Sequence, residues 1–205
     1  MKLWLGAGVA IAAGALVTSI APTRATTPDR APVIAAAYGR NDALMSYTFQ
    51  MDIAMAMRHF PWLHFRMQGL GDYRRGDRYV VHLTNAPPFA SKVHDIDLSM
   101  IDPSMWPSHY RYEQIGIQDG DTLFALQGLQ DASLKSATVA LNPVSGAHWA
   151  DATYSDGMHV HMIVSSNDVD GFLLPASLTA EVDYPHMPLS ADASFTNYSI
   201  TAPAP

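Results

Sequence analysis

From Tyr47 onward, apolar side chains fall on every second position: Tyr47, Phe49, Met51, Ile53, Met55 and Met57. Thr48, Gln50, Asp52, Ala54, Ala56 and Arg58 lie between them. Successive side chains of a strand point to opposite faces, so this alternation predicts a long strand with one apolar face. A helix would need its apolar residues three and four apart. His59-Phe60-Pro61-Trp62 interrupts the pattern with a proline suited to a turn. Alternation resumes through Leu63, Phe65 and Met67 before Gly69 and Gly71. After the charged turn Arg74-Arg75-Gly76-Asp77 it continues through Tyr79, Val81 and Leu83. Three strands joined by short turns predict an antiparallel meander.

Beyond Pro87-Pro88 the period changes. Phe89, Val93, Ile96 and Met100 are spaced by four, three and four, which predicts a short amphipathic helix over Phe89–Ile101. Pro88 suits its first turn and Asp102-Pro103 its end. Prolines on both sides make it a candidate for a hinged lid.

Strand signals then return over Tyr110–Ile117 and Thr122–Leu129, separated by Asp119-Gly120, and through Ala137, Val139 and Leu141. The turn Asn142-Pro143-Val144-Ser145-Gly146 leads into His148–Tyr154. Asp156-Gly157 precedes Met158, Val160, Met162 and Val164; Leu178, Ala180 and Val182 alternate later, and a last strand is expected between Ala193 and Ile200. The expectation is about nine to eleven strands in sequential hairpins, with one helix.

Each strand has one apolar face, and a helix of about 13 residues, roughly 20 Å long, cannot cover so wide a sheet. The fold class expected is therefore mainly β: an antiparallel sheet curled into an open or half barrel, with helix at its mouth. Its inner face, the candidate ligand-binding surface, comprises Tyr47, Phe49, Met51, Ile53, Met55, Met57, Phe65, Met67, Tyr79, Val81, Leu83, Val139, Leu141, Met158, Val160 and Met162. Methionine is unbranched and polarizable, so a stripe of it suits a flexible alkyl ligand, although it also fills irregular cores.

The N-terminus adds a compartment. Lys2, an uncharged apolar run from Leu3 to Ile20, and Thr23-Arg24-Ala25 form a signal-peptide layout with cleavage expected after Ala25. Residues 26–43 are expected to be a flexible lead-in, and 44–201 one β domain. No cysteine is present, which removes disulfides, thiolate metal sites and thiol nucleophiles. Of 12 Lys and Arg residues, Lys2 and Arg24 leave with the leader, so 10 remain against 19 Asp and Glu, a formal charge of −9. So acidic a domain is a poor ligand for nucleic acid or an anionic membrane surface, and an apolar or neutral partner is expected.

Candidate chemistry is sparse. His159 and His161 share one strand face about 6 to 7 Å apart, and His148 or Asp151 across the hairpin could complete a zinc site. They oppose Met158, Val160 and Met162, which places them toward solvent. No G-x-S-x-G elbow occurs, and the acidic residues gather in turns such as Asp119-Gly120-Asp121 and Asp168-Val169-Asp170. Neither cofactor nor catalysis is expected; a metal-dependent hydrolase built on His159 and His161 is the enzymatic alternative.

A leader, a long alternating first strand, a charged turn and then Asp77-Arg78-Tyr79-Val80-Val81-His82-Leu83 resemble the periplasmic LolA/LolB-like superfamily. Asn142–Gly146 between two strands and Gly171-Phe172-Leu173-Leu174-Pro175 opening a late one agree with it. The resemblance covers Tyr47 to Ile200. It implies an open barrel lidded by helical segments, non-covalent binding of the acyl chains of lipids or lipoproteins, and no cofactor. Family members carry more helix over the mouth than this sequence shows. The partner implied is a lipid or acylated protein, with an envelope membrane protein as a second; an envelope adaptor module that binds another protein is the non-enzymatic alternative.

Overall fold

The computed structural model describes residues 31–85, 95–129, 133–183 and 188–201. Eleven strands form one antiparallel sheet: β1 (Ser46–Met57), β2 (Phe60–Arg74), β3 (Arg78–Asn85), β4 (Asp95–Asp97), β5 (Tyr110–Gln118), β6 (Asp121–Gly128), β7 (Leu134–Asn142), β8 (Gly146–Tyr154), β9 (His159–Val169), β10 (Phe172–Asp183) and β11 (Leu189–Thr201). Their order is β4-β3-β2-β1-β11-β10-β9-β8-β7-β6-β5. The last strand returns to pair with the first, so β1 and β11 lie in the interior of the sheet while β4 and β5 form the edges. The sheet is curled and open, in accord with the class expected from its alternation.

Register explains which side chains share the inside. Ile53 lies between Met67 of β2 and Ala193 of β11, and Met55 between Phe65 and Ala191. Leu178 follows beside Ala193, and Ala180 beside Ala191. The turns use the residues that their geometry demands. Asp119-Gly120 and Asp170-Gly171 take positive φ at both positions (52° and 88°, 52° and 85°), the backbone that fits a two-residue hairpin to the strand twist.

Three features depart from the reading of the sequence. The helix expected over Phe89–Ile101 does not form in its described part. Asp95–Asp97 is a strand, with Ile96 opposite Val81 and Asp95 opposite His82, and Met100 is buried in a 3-10 turn at Ser99–Ile101. The edge of β3 needs hydrogen-bond partners, and Asp-Ile-Asp supplies a period-two triplet that competes with the helical spacing. Phe89 and Val93 lie outside the described residues. Second, β2 begins at Phe60, so Pro61 lies within a strand and the turn is at Arg58-His59. Third, part of the segment expected as a lead-in is folded. Helix α1 (Pro32–Tyr38), with proline in its first turn, buries Ile34, Ala37 and Tyr38.

A short helix α2 (Trp106–His109) precedes β5. Its fully buried Trp106 packs against Tyr112 and Phe124 and donates Nε1–H to the Met100 carbonyl at 2.9 Å. Tyr38 accepts a hydrogen bond from the Ala147 amide at 2.8 Å, which ties α1 to the start of β8. Among the described residues no helix is long and apolar enough to cross a membrane.

Gly71 lies opposite Phe49, and a Cβ at this position would overlap the Phe49 ring. Gly71→Ala should therefore destabilise the fold by about 1–3 kcal/mol, the usual cost of overpacking. Gly116→Ala, where a Cβ meets open space, should stay within about 0.5 kcal/mol of the parent. Urea unfolding of the two variants checks the contrast.

Candidate functional site

The concave face is divided along the strands into a filled half and a hollow half. At one end aromatic rings fill it. Tyr47 stacks on Tyr73 with centroids 4.5 Å apart, Tyr73 meets Tyr79 edge-on at 5.3 Å, and Phe49 lies 5.5 Å from Phe195 and 5.7 Å from Tyr198. On β7, Val139 and Leu141 are fully buried as well. Tyr47, Phe49, Tyr79, Val81, Val139 and Leu141 are thus core residues of the filled part.

Toward the other end, the inner face opens into a cavity of about 370 Å³. Met51, Ile53, Met55, Met67, Leu83, Val160 and Met162, all in the alternating pattern of the sequence, line it. Ile96 and Leu98 close one side. The space itself comes from residues that periodicity did not single out as a site. Ala180, Ala191 and Ala193 sit side by side on β10 and β11 and leave a low floor beneath the longer methionines. Met57 and Phe65 share the face nearer the hairpin end but stand outside the lining, as does the half-buried Met158 before β9.

Two surroundings of this face bear on its chemistry. The β1–β2 hairpin carries exposed apolar groups beyond the cavity: Trp62 is 73% exposed, and Phe60 packs edge-on against it at 5.5 Å. On the outer face, His161 Nδ1 lies 3.0 Å and His159 Nε2 3.5 Å from the same Asp151 oxygen. Among the described residues, no group of three or more His, Asp or Glu side chains is arranged to hold a metal ion. His148 is elsewhere, paired with Asp121 at 2.6 Å.

Against the filled half lies the buried Asp102. Its Oδ1 accepts from the Ser104 amide at 2.8 Å, while burial pushes its carboxyl above the ordinary carboxylate range. Burial likewise raises the hydroxyls of Tyr38, Tyr47, Tyr73, Tyr79 and Tyr198, which all stay protonated at neutral pH. The arrangement is a seal of stacked rings beside one buried carboxyl.

No family model and no curated protein matches this sequence. Solved structures match in shape, three of them as follows. A LolA superfamily protein from Nitrosomonas europaea superposes with a TM-score of 0.58 at 10% identity, over 84% of this chain and 93% of that one. The fold is LolA-like. A DUF1329 family protein from Desulfovibrio piger gives 0.55 at 7% identity, over 82% and 90% of the two chains. A domain from Vibrio parahaemolyticus described as an outer membrane lipoprotein-sorting protein gives 0.54 at 8% identity, over 80% and 88%. At such identities the likeness is one of fold.

The Asp102 environment sets a pH dependence. A carboxyl whose folded pKa is raised favours the folded state below its unfolded value, and that contribution is lost as pH rises through the folded pKa. Asp102→Asn keeps an acceptor for the Ser104 amide and removes the buried charge. It should melt higher than the parent at pH 8, with the difference shrinking toward pH 4; a pH series of thermal melts checks the sign.

Proposed function

We infer that this protein is a non-catalytic carrier, exported to the periplasm or beyond, that shelters the acyl chain of a lipid or lipidated protein in its methionine-lined cavity. The observation that carries the reading is the hollow half itself. A core made only for stability would be filled to close packing, whereas here alanines floor a 370 Å³ space walled by Met51, Met55, Met67 and Met162. A pocket of this size with an apolar lining is typical of small-ligand sites, and thioether side chains adapt to an alkyl chain of variable path. Support also comes from the LolA-like fold, from one neighbour's description as a lipoprotein-sorting protein, and from the leader-like N-terminus.

The exposed hairpin end favours a second reading, an envelope adaptor whose Phe60 and Trp62 contact another protein. On that reading the cavity is incidental.

Organic extraction of the purified protein followed by mass spectrometry separates the two. The carrier reading expects a stoichiometric acyl species, and Met162→Glu should lower its occupancy at least tenfold, because a carboxylate against the acyl chain costs its desolvation. Absence of any lipid, together with unchanged binding of an apolar fluorophore in Met162→Glu, would favour the adaptor.

A further inference from the structure

We propose that the cavity takes one acyl chain of about twelve carbons, carried by an amphiphile whose head group is not anionic; this rests on the carrier reading above. Capacity comes first. A methylene fills roughly 30 Å³, about the share of a water molecule in the liquid, so 370 Å³ holds about twelve carbons. Three sixteen-carbon chains would need on the order of 1,400 Å³ at the same packing. The filled half offers no reserve, because Tyr47, Phe49, Tyr73 and Tyr79 there are almost fully buried and stacked on one another. Extending the cavity along the strands would require expelling those rings from a sealed core, so a multiply acylated anchor cannot be sheltered whole.

The rim decides the head group. Among the described lining residues, Asp97 is the one ionisable side chain, and no Lys, Arg or His lines the cavity. Asp97 is exposed, and its Oδ1 accepts from the Ser99 amide at 2.8 Å, which fixes a carboxylate beside Leu98 and Ile96. At the neighbouring hairpin, Arg58 is already engaged by Glu181 at 3.1 Å and by Asp183. A carboxylate or phosphate monoester arriving with the chain would therefore meet the like charge of Asp97. A hydroxyl, an amide or an ammonium group would meet an acceptor.

The test is a chain-length series of 1-monoacylglycerols, from eight to sixteen carbons, competing below their aggregation limits against an apolar fluorophore. Affinity should rise about fourfold per methylene and level off near twelve carbons. Dodecanoate should bind about tenfold more weakly than monolauroylglycerol, a gap that Asp97→Asn should close while keeping the turn's acceptor. Ala180→Phe should bring the plateau down by about three carbons, with Ala191→Leu as the milder substitute if that variant fails to fold. Affinity that keeps rising through sixteen carbons would overturn the inference. So would a triacylated lipopeptide that binds one-to-one as tightly as the best monoacylglycerol, or dodecanoate that matches its glyceride. If none of the probes binds, the carrier reading itself fails and takes this inference with it.

Discussion

One apolar concave face on an open sheet must be kept from water, and the rest of the molecule follows from the two ways in which that is done. Eleven strands curl without closing, so strand pairing alone leaves the inside exposed. Over one half the solution is mass. Aromatic rings from β1, β2, β3 and β11 pack on one another, and Trp106, after the 3-10 turn, packs on Tyr112 of β5 and Phe124 of β6. Over the other half the same device is missing, and small residues replace large ones at facing positions.

That contrast links packing to function. Dispersion contacts forfeited along an unfilled apolar wall are recovered when a chain occupies it, so on the carrier reading the hollow half gains stability from a bound chain while the sealed half holds the fold without one. Met51 and Phe49 are neighbours on β1, two residues apart on the same face, and they mark the boundary between the two regimes. The polar groups are kept to the margins. Asp102 is held by the Ser104 amide and the tyrosine hydroxyls stay protonated beside the rings, and the His–Asp pairs His161–Asp151 and His82–Asp95 lie on the outer or edge surfaces.

Much of this was legible in the sequence, for a physical reason. Six consecutive alternations from Tyr47 to Met57, and the Asp-Gly and Asn-Pro turns, are local signals, and local signals suffice to predict strands and hairpins. The helix read over Phe89–Ile101 went wrong in its described part because the open edge of β3 recruited Asp95–Asp97, a tertiary demand that spacing does not record. The cavity was only half visible. Its walls carry large apolar side chains at period two, whereas its floor depends on Ala180, Ala191 and Ala193 becoming neighbours across β10 and β11. Strand β11 also begins at Leu189, four residues before the alternation that predicts it. Nor does alternation tell which part of an apolar face is filled, so Tyr47 and Met51 looked equivalent in sequence and are opposite in role.

The measurement closest to the central claim is a methyl NMR titration of methionine-labelled protein with monolauroylglycerol. The account expects the methyl signals of Met51, Met55, Met67 and Met162 to shift together to saturation at one equivalent, while those of the buried Met100 and Met105 stay in place. Saturable shifts at Met100 and Met105 with the cavity methionines unmoved would contradict it, because the ligand would then lie in the sealed half.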